Sequence, residues 1–149
     1  MSMPAGERLG FDIKRVEQEL MAARSAAVRP ARLTAPQYAA LLALADNPGV
    51  SSAALGRACR VTPQAMTVVI RNLEQRGLVR RTPNRWQRNV LETHLTEAGW
   101  RALRLADERA AAIERRIAEE FTPEERDTLR SLLARCSKAI NEKGGSRPW

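Results

Sequence analysis

Histidine occurs once, at His94, and cysteine twice, at Cys59 and Cys136. A zinc-type site needs more ligands than these, set closer together. The two cysteines have neither disulfide nor metal spacing. Both read as small buried hydrophobes, with redox sensing as the alternative. His94 falls on the outward face of an expected strand, with no nucleophile or carboxylate to name beside it, and reads as a solvated side chain. No Gly-rich phosphate loop and no internal repeat is present. The acid pair Glu124-Glu125 follows a helix cap, where the helix dipole favours negative charge without any catalytic role. The longest apolar runs, such as residues 38–45, fall far short of the roughly 18 residues that span a bilayer. Residues 1–10 carry charges where a signal peptide would be apolar. The expectation is a soluble cytoplasmic protein that is not an enzyme and holds no metal or cofactor.

What the chain has is positive charge, and the charge is localised. The 149 residues carry a formal +8. Between residues 51 and 91 lie Arg57, Arg60, Arg71, Arg76, Arg80, Arg81, Arg85 and Arg88, against the single acid Glu74. Nearly the whole excess sits in under a third of the chain, which points to a polyanionic partner met by that stretch. Arginine far outnumbers lysine, and its planar fork suits phosphates and guanine edges. A hydrophobic fraction of 44% is enough for an ordinary core, so wholesale disorder is excluded.

Leu9, Ile13, Val16 and Leu20 form one stripe of a helix over about residues 7–28, with Pro30 just beyond it. Thr34 and Gln37 make a capping box for a second helix through Tyr38, Leu41, Leu42 and Ala45, stopped by Asp46-Asn47-Pro48-Gly49. Ser51 or Ser52 caps a short third helix ending near Cys59, and Arg60-Val61 makes a tight turn. Thr62 caps a fourth helix with Pro63 at its first position and Gly77 after its end. Ala65, Met66, Val69, Ile70 and Leu73 are its expected inward face. Residues 78–81 and 90–95 read as two short strands around a basic polar loop. In the second strand Leu91, Thr93 and Leu95 share one face, and Val90, Glu92 and His94 the other. Thr96 caps a long helix with Trp100, Leu103, Ala106, Ala110, Ile113 and Ile117 on one side. Thr122 caps a last helix whose stripe is Leu129, Leu132, Leu133, Cys136 and Ile140. Residues 142–149, with Gly-Gly, Pro and the uninterpreted Trp149, are expected to be a flexible tail.

Helix, tight turn, helix and basic hairpin follow one another over residues 51–95. A helix-turn-helix presents its second helix to the major groove. The outward face of that helix should offer Gln64, Thr67, Val68 and Arg71, where Gln suits adenine, Arg guanine, and apolar methyls thymine. Thr62 and the open N–H groups at the helix start suit a phosphate, as do Ser51 and Ser52 at the preceding helix. The hairpin loop offers Arg85, Trp86, Arg88 and Asn89 to the duplex backbone or the minor groove. The bland alternatives are a generic helix pair and a solvated loop.

Several segments in order make the chain resemble the MarR family of bacterial regulators. Leu33-Thr34-Ala35-Pro36-Gln37 is similar to that family's L-T-x-x-Q opening of the second helix. Leu73-Glu74-Gln75-Arg76-Gly77-Leu78-Val79 is similar to its L-E-x-x-G-L-V link into the wing. Leu95-Thr96-Glu97-Ala98-Gly99 is similar to its L-T-x-x-G exit, and Phe121-Thr122-Pro123-Glu124-Glu125 resembles the start of its final helix. The match spans roughly residues 9–140. It implies a mainly α fold with a small β-hairpin wing, a winged helix-turn-helix at 33–96 flanked by dimerisation helices at 7–32 and 97–141, in a single 149-residue domain. It also implies a small molecule or oxidant that binds near the junction and releases DNA. The family wing usually carries an aspartate followed by one or two arginines. Arg88 matches the first arginine, while Gln87 stands at the aspartate position and Asn89 at the second arginine. Val68 replaces a residue that is polar or basic in many relatives.

The leading expectation is therefore a homodimeric, sequence-specific regulator of transcription, a repressor that binds a near-palindromic double-stranded operator and is released by a small-molecule effector or another signal. Leu9, Ile13, Val16, Leu129, Leu132, Leu133, Cys136 and Ile140 are the expected dimer interface. Phe11, Tyr38 and Trp100 are aromatics that either pack in the core or line an effector pocket. The alternatives are an architectural DNA protein with little base selectivity, a winged-helix protein-interaction module and, last, an enzyme.

Overall fold

The computed structural model describes residues 2–142. The expected tail at 142–149, Trp149 included, lies outside the described residues except for Glu142. The chain divides into two compact units, Met1–Ala111 and Ala112–Trp149.

The first unit begins with α1, Leu9–Val28, after a short 3-10 turn at Ala5–Glu7. A second such turn, Arg29–Ala31, takes up Pro30 and ends on Arg32 in the left-handed region. Helix α2, Ala35–Asp46, starts on the expected capping box: Gln37 N–H donates to Thr34 Oγ1 and Thr34 N–H to Gln37 Oε1. Helix α3, Ser52–Cys59, is capped by Ser51, whose hydroxyl accepts from Ala54 N–H. The tight turn is closed by Val61 N–H on the Gly56 carbonyl at 3.0 Å, with Arg60 left-handed. Helix α4, Pro63–Gln75, follows on the Thr62 cap. Strands β1, Val79–Pro83, and β2, Leu91–Leu95, pair antiparallel with Val79 opposite Leu95 and Pro83 opposite Leu91. Thr82 and Pro83, expected in the loop, are therefore in the strand. Helix α5, Glu97–Glu119, leaves the hairpin.

The core of this unit draws Leu41 and Leu44 from α2, Leu55 from α3, Met66, Ile70 and Leu73 from α4, Val79 from β1 and Leu103 and Ala106 from α5. Four expectations fail by position on their elements, the first on α2, where Leu42 is exposed and Leu44 takes the inward place. Ala65 is exposed and Val69 only half-buried, because the inward stripe of α4 is the narrower set Met66, Ile70 and Leu73. Trp100 and Ile117 stay exposed, whereas Leu103, Ala106, Ala110 and Ile113 are buried. Leu91 is exposed at the loop end of the hairpin although Thr93, on its face, is fully buried. Thr93 is held from the other side as well: Gly49 N–H donates to its carbonyl and its own N–H donates to the Val50 carbonyl.

Gly77 ends α4 with φ +70, the left-handed value that glycine adopts without strain. Gly99 answers to space instead. A Cβ there would collide with the Leu78 carbonyl oxygen, which already accepts from Thr96 N–H. Gly99→Ala must push α5 off the β1 entry and strain that bond. Urea unfolding should show it less stable by about 2–4 kcal/mol, overpacking plus a weakened hydrogen bond. A loss under ~0.5 kcal/mol would show that the backbone yields freely there.

In the second unit, α6, Pro123–Asn141, is opened by Thr122 in a second capping box with Glu125. Hydrogen bonds from Thr122, N–H first, hold the exposed Glu125 carboxyl below its ordinary range. Arg126 Nε donates to the Ala118 carbonyl and fixes the corner. None of the residues of α6 is buried. Among the described residues, no helix is long and apolar enough to cross a membrane.

Candidate nucleic-acid interface

The local chemistry of α4 fixes what its outer face presents. Thr62 accepts from Ala65 N–H, and Pro63 at the first position leaves no orphan donor of its own. With Met66, Ile70 and Leu73 locked inward, Gln64, Thr67, Val68 and Arg71 are all exposed, Val68 by 66%. The Thr67 hydroxyl donates to the Pro63 carbonyl at 2.9 Å, which leaves its methyl for apolar contact.

The charge cluster is less uniform than its sequence. Arg81 grips Glu74 through two bonds, Nη2 to Oε1 at 2.9 Å and Nε to Oε2 at 3.3 Å. This hydrogen bonding holds the Glu74 carboxyl below the ordinary range and raises the Arg81 guanidinium further. The single acid of the cluster is thus occupied by one arginine. Arg57, Arg60, Arg71, Arg76, Arg80, Arg85 and Arg88 all remain exposed.

At the hairpin tip Trp86 is 84% exposed, with the Arg85 guanidinium 5.5 Å from its ring centroid. Arg88 and Asn89 are exposed beside them. Sequence reading missed what holds this loop, which is Asn84. Its Oδ1 accepts from Trp86 N–H and Gln87 N–H at 2.8 and 2.9 Å. Its Nδ2 donates to Glu92 Oε1 at 2.8 Å. An asparagine just after Pro83 is an Asx-turn signal that could have been read. His94 is corrected too: it is half-buried, and its Nε2 lies 3.3 Å from Glu92 Oε2, a carboxylate two residues back on its own strand.

A second missed group ties α4 to α2. Gln37 Nε2 donates to Asn72 Oδ1 at 2.8 Å, and Arg76 Nη1 reaches Gln37 Oε1 at 3.4 Å. The capping-box glutamine thus also holds the end of the outward-facing helix.

Other expected residues fall as follows. Ser51 and Ser52 are half-buried at the start of α3. Leu9, Ile13 and Val16 on α1 are exposed, and so are Leu129, Leu132, Leu133 and Ile140 on α6, with Cys136 half-buried. Cys59 is also half-buried rather than buried, and burial pushes its thiol up, away from thiolate reactivity. Tyr38 is buried and donates to Asp107 Oδ1 at 2.6 Å, whereas Phe11 and Trp100 are 59% and 40% exposed.

A MarR family profile matches residues 33–86. An HTH-type transcriptional repressor of Mycobacterium tuberculosis is 37% identical over 125 residues, 83% of this chain and 90% of that protein. Among solved structures, a Mycobacterium tuberculosis MarR family protein in complex with p-aminosalicylic acid is 33% identical, with a TM-score of 0.66 over 87% of this chain and 98% of the other. The transcriptional repressor CouR bound to a 23-mer DNA duplex is 28% identical, with a TM-score of 0.78 over 92% of this chain and 99% of that one.

Proposed function

The chain belongs to the MarR family, and on that premise we propose that it is a transcriptional repressor that binds double-stranded DNA as a homodimer and is released by a small-molecule effector. The observation that carries this reading is the placement of seven exposed arginines over residues 57–88, where the one acid, Glu74, is held by Arg81. Residues 33–96 are the DNA-reading part, and 7–32 and 97–141 supply the dimerisation helices. Gln64, Thr67, Val68 and Arg71 read base edges. Thr62, Ser51 and Ser52 serve phosphates. Arg85, Trp86, Arg88 and Asn89 meet the duplex from the wing. The role is regulatory rather than catalytic, and a DNA partner places its work in the cytoplasm.

A relative is captured with p-aminosalicylic acid; what is extended to this chain is response to a small ligand, with Phe11, Tyr38 and Trp100 as the aromatic candidates for its contacts. Such a ligand acts by favouring a dimer geometry that DNA does not accept.

Arg71→Ala should weaken binding to the preferred duplex by about 1–3 kcal/mol and relax base preference, the signature of a missing bidentate base pairing. Arg88→Ala should weaken all sequences alike. Anisotropy titrations against the preferred and a scrambled duplex make the comparison. Equal losses on both duplexes for both variants would point instead to an architectural DNA protein, and parental binding by both would remove α4 and the wing from the interface.

A further inference from the structure

We propose that Asn84 and Glu92 form a clamp that sets the pose in which the hairpin presents Arg85, Trp86 and Arg88, so that Glu92, although an acid, strengthens DNA binding. This rests on the DNA-binding reading above and adds positioning residues to it.

The clamp starts where β1 ends. Pro83 faces Leu91 at a non-hydrogen-bonded position, where its missing N–H costs the ladder nothing, and the next pair closes the ladder, with Asn84 N–H donating to the Val90 carbonyl at 2.7 Å. Within that closure Val90 N–H donates to the Gln87 carbonyl, and the Asn84 side chain accepts the amides of Trp86 and Gln87. The loop backbone on both sides of Trp86 is therefore tied to one side chain. Asn84 is oriented in turn by Glu92, since its carbonyl oxygen faces two N–H donors and its amide nitrogen faces a carboxylate. A flipped amide would set oxygen against oxygen. The second Glu92 oxygen meets His94 Nε2, and the His94 ring lies against Gly49, 3.2 Å from where a Cβ would stand. The support thus runs from the 49–50 segment through His94 and Glu92 to Asn84 and the basic tip. Pre-orientation of this kind spares the ordering of a mobile loop on binding.

Charge alone makes the opposite prediction. Glu92 stands among arginines that meet phosphates, so removing it by any route should tighten binding. The clamp separates two routes. Glu92→Gln keeps an oxygen for Asn84 Nδ2 and discards the charge, so it should bind a duplex at least as tightly as the parent. Glu92→Ala discards both and should bind about tenfold more weakly than Glu92→Gln, the scale of one neutral hydrogen bond and the loop order it secures. Its salt dependence should be shallower by about 0.9 for each phosphate that a wing no longer meets. Asn84→Ala keeps the Glu92 charge and should bind no more tightly than Glu92→Ala, and the double variant should be no worse than Asn84→Ala alone.

The experiment titrates the parent and these four variants, over a salt series, against a fluorescein-labelled duplex selected from a random-sequence pool by the parent, with thermal melts alongside. Glu92→Ala binding as tightly as Glu92→Gln would overturn the clamp, and so would additive losses in the double variant. A lowered melting temperature with an unchanged salt slope would make Glu92 a structural residue only and overturn it equally. A parent that binds no duplex would instead defeat the DNA-binding reading and the clamp with it, and that failure is read from the parent alone.

Discussion

Raising monovalent salt from about 50 to about 200 mM is expected to weaken duplex binding by roughly 10³–10⁵-fold, the loss that accompanies release of counterions from about 6–10 phosphates. The number of cations makes this range reasonable. Each copy exposes Arg57, Arg60, Arg71, Arg76, Arg80, Arg85 and Arg88. Some of these will read bases or bridge other groups, as Arg76 already reaches Gln37. Half to two-thirds of protein–DNA hydrogen bonds go to the backbone, so a dimer with this many exposed arginines falls in that range. Arg81 should contribute little, since Glu74 engages it through both oxygens. Anisotropy over a salt series gives the slope directly. A flat response would mean that the arginine field serves something other than phosphates, and the repressor reading would fall.

The second large effect concerns assembly. Leu132→Glu combined with Leu133→Glu is expected to convert a dimer into a monomer and to reduce operator affinity by orders of magnitude. Leu129, Leu132, Leu133 and Ile140 lie exposed on α6, Ile140 by 77%, and Leu9, Ile13 and Val16 lie exposed on α1. A single chain leaves these apolar stripes in water. A second copy related by a two-fold axis can cover them. Each Leu or Ile so sheltered contributes about 1.5–3 kcal/mol. Two glutamates per copy replace that gain with desolvated like charges, while α6 itself should survive, since Glu is a good helix former and the Thr122–Glu125 cap is untouched. Operator affinity falls with assembly because a dimer spans two half-sites about 34–36 Å apart and a monomer meets only one. Sedimentation of parent and variant at micromolar concentration is the check. A parent that is monomeric and still binds one half-site tightly would defeat both the dimer and the effector mechanism built on its geometry.

The helices were legible because their signals are local. Thr34 with Gln37, Ser51, Thr62, Thr96 and Thr122 with Glu125 each place an oxygen within three residues of the N–H it accepts, so the caps could be read off neighbouring letters. Period alone gave Tyr38 and Leu41 in α2 and Met66, Ile70 and Leu73 in α4, but it put the exposed Leu42 inward and passed over the buried Leu44; Gly77 stands at the end of α4 as expected. The errors lay where an element faces more than one environment. Ala65 and Trp100 fit the period of their helices, but the core is narrower than the stripe. Leu91 fits the alternation of β2 but sits past the point where the 49–50 segment covers it.

By itself the sequence determined the order and ends of the helices, the hairpin, the concentration of arginine over 51–91 and the outward face of α4, since period, caps and charge are properties of contiguous residues. The tertiary structure alone decided which polar groups meet. Gln37 and Asn72 are thirty-five positions apart, Glu74 and Arg81 seven, and Asn84 and Glu92 eight across a turn. No period or spacing rule encodes those pairings, because they depend on where α2, α4 and the two strands come to rest. They decide which arginines remain exposed, and on the proposed DNA-binding function they set how the wing is held against the duplex.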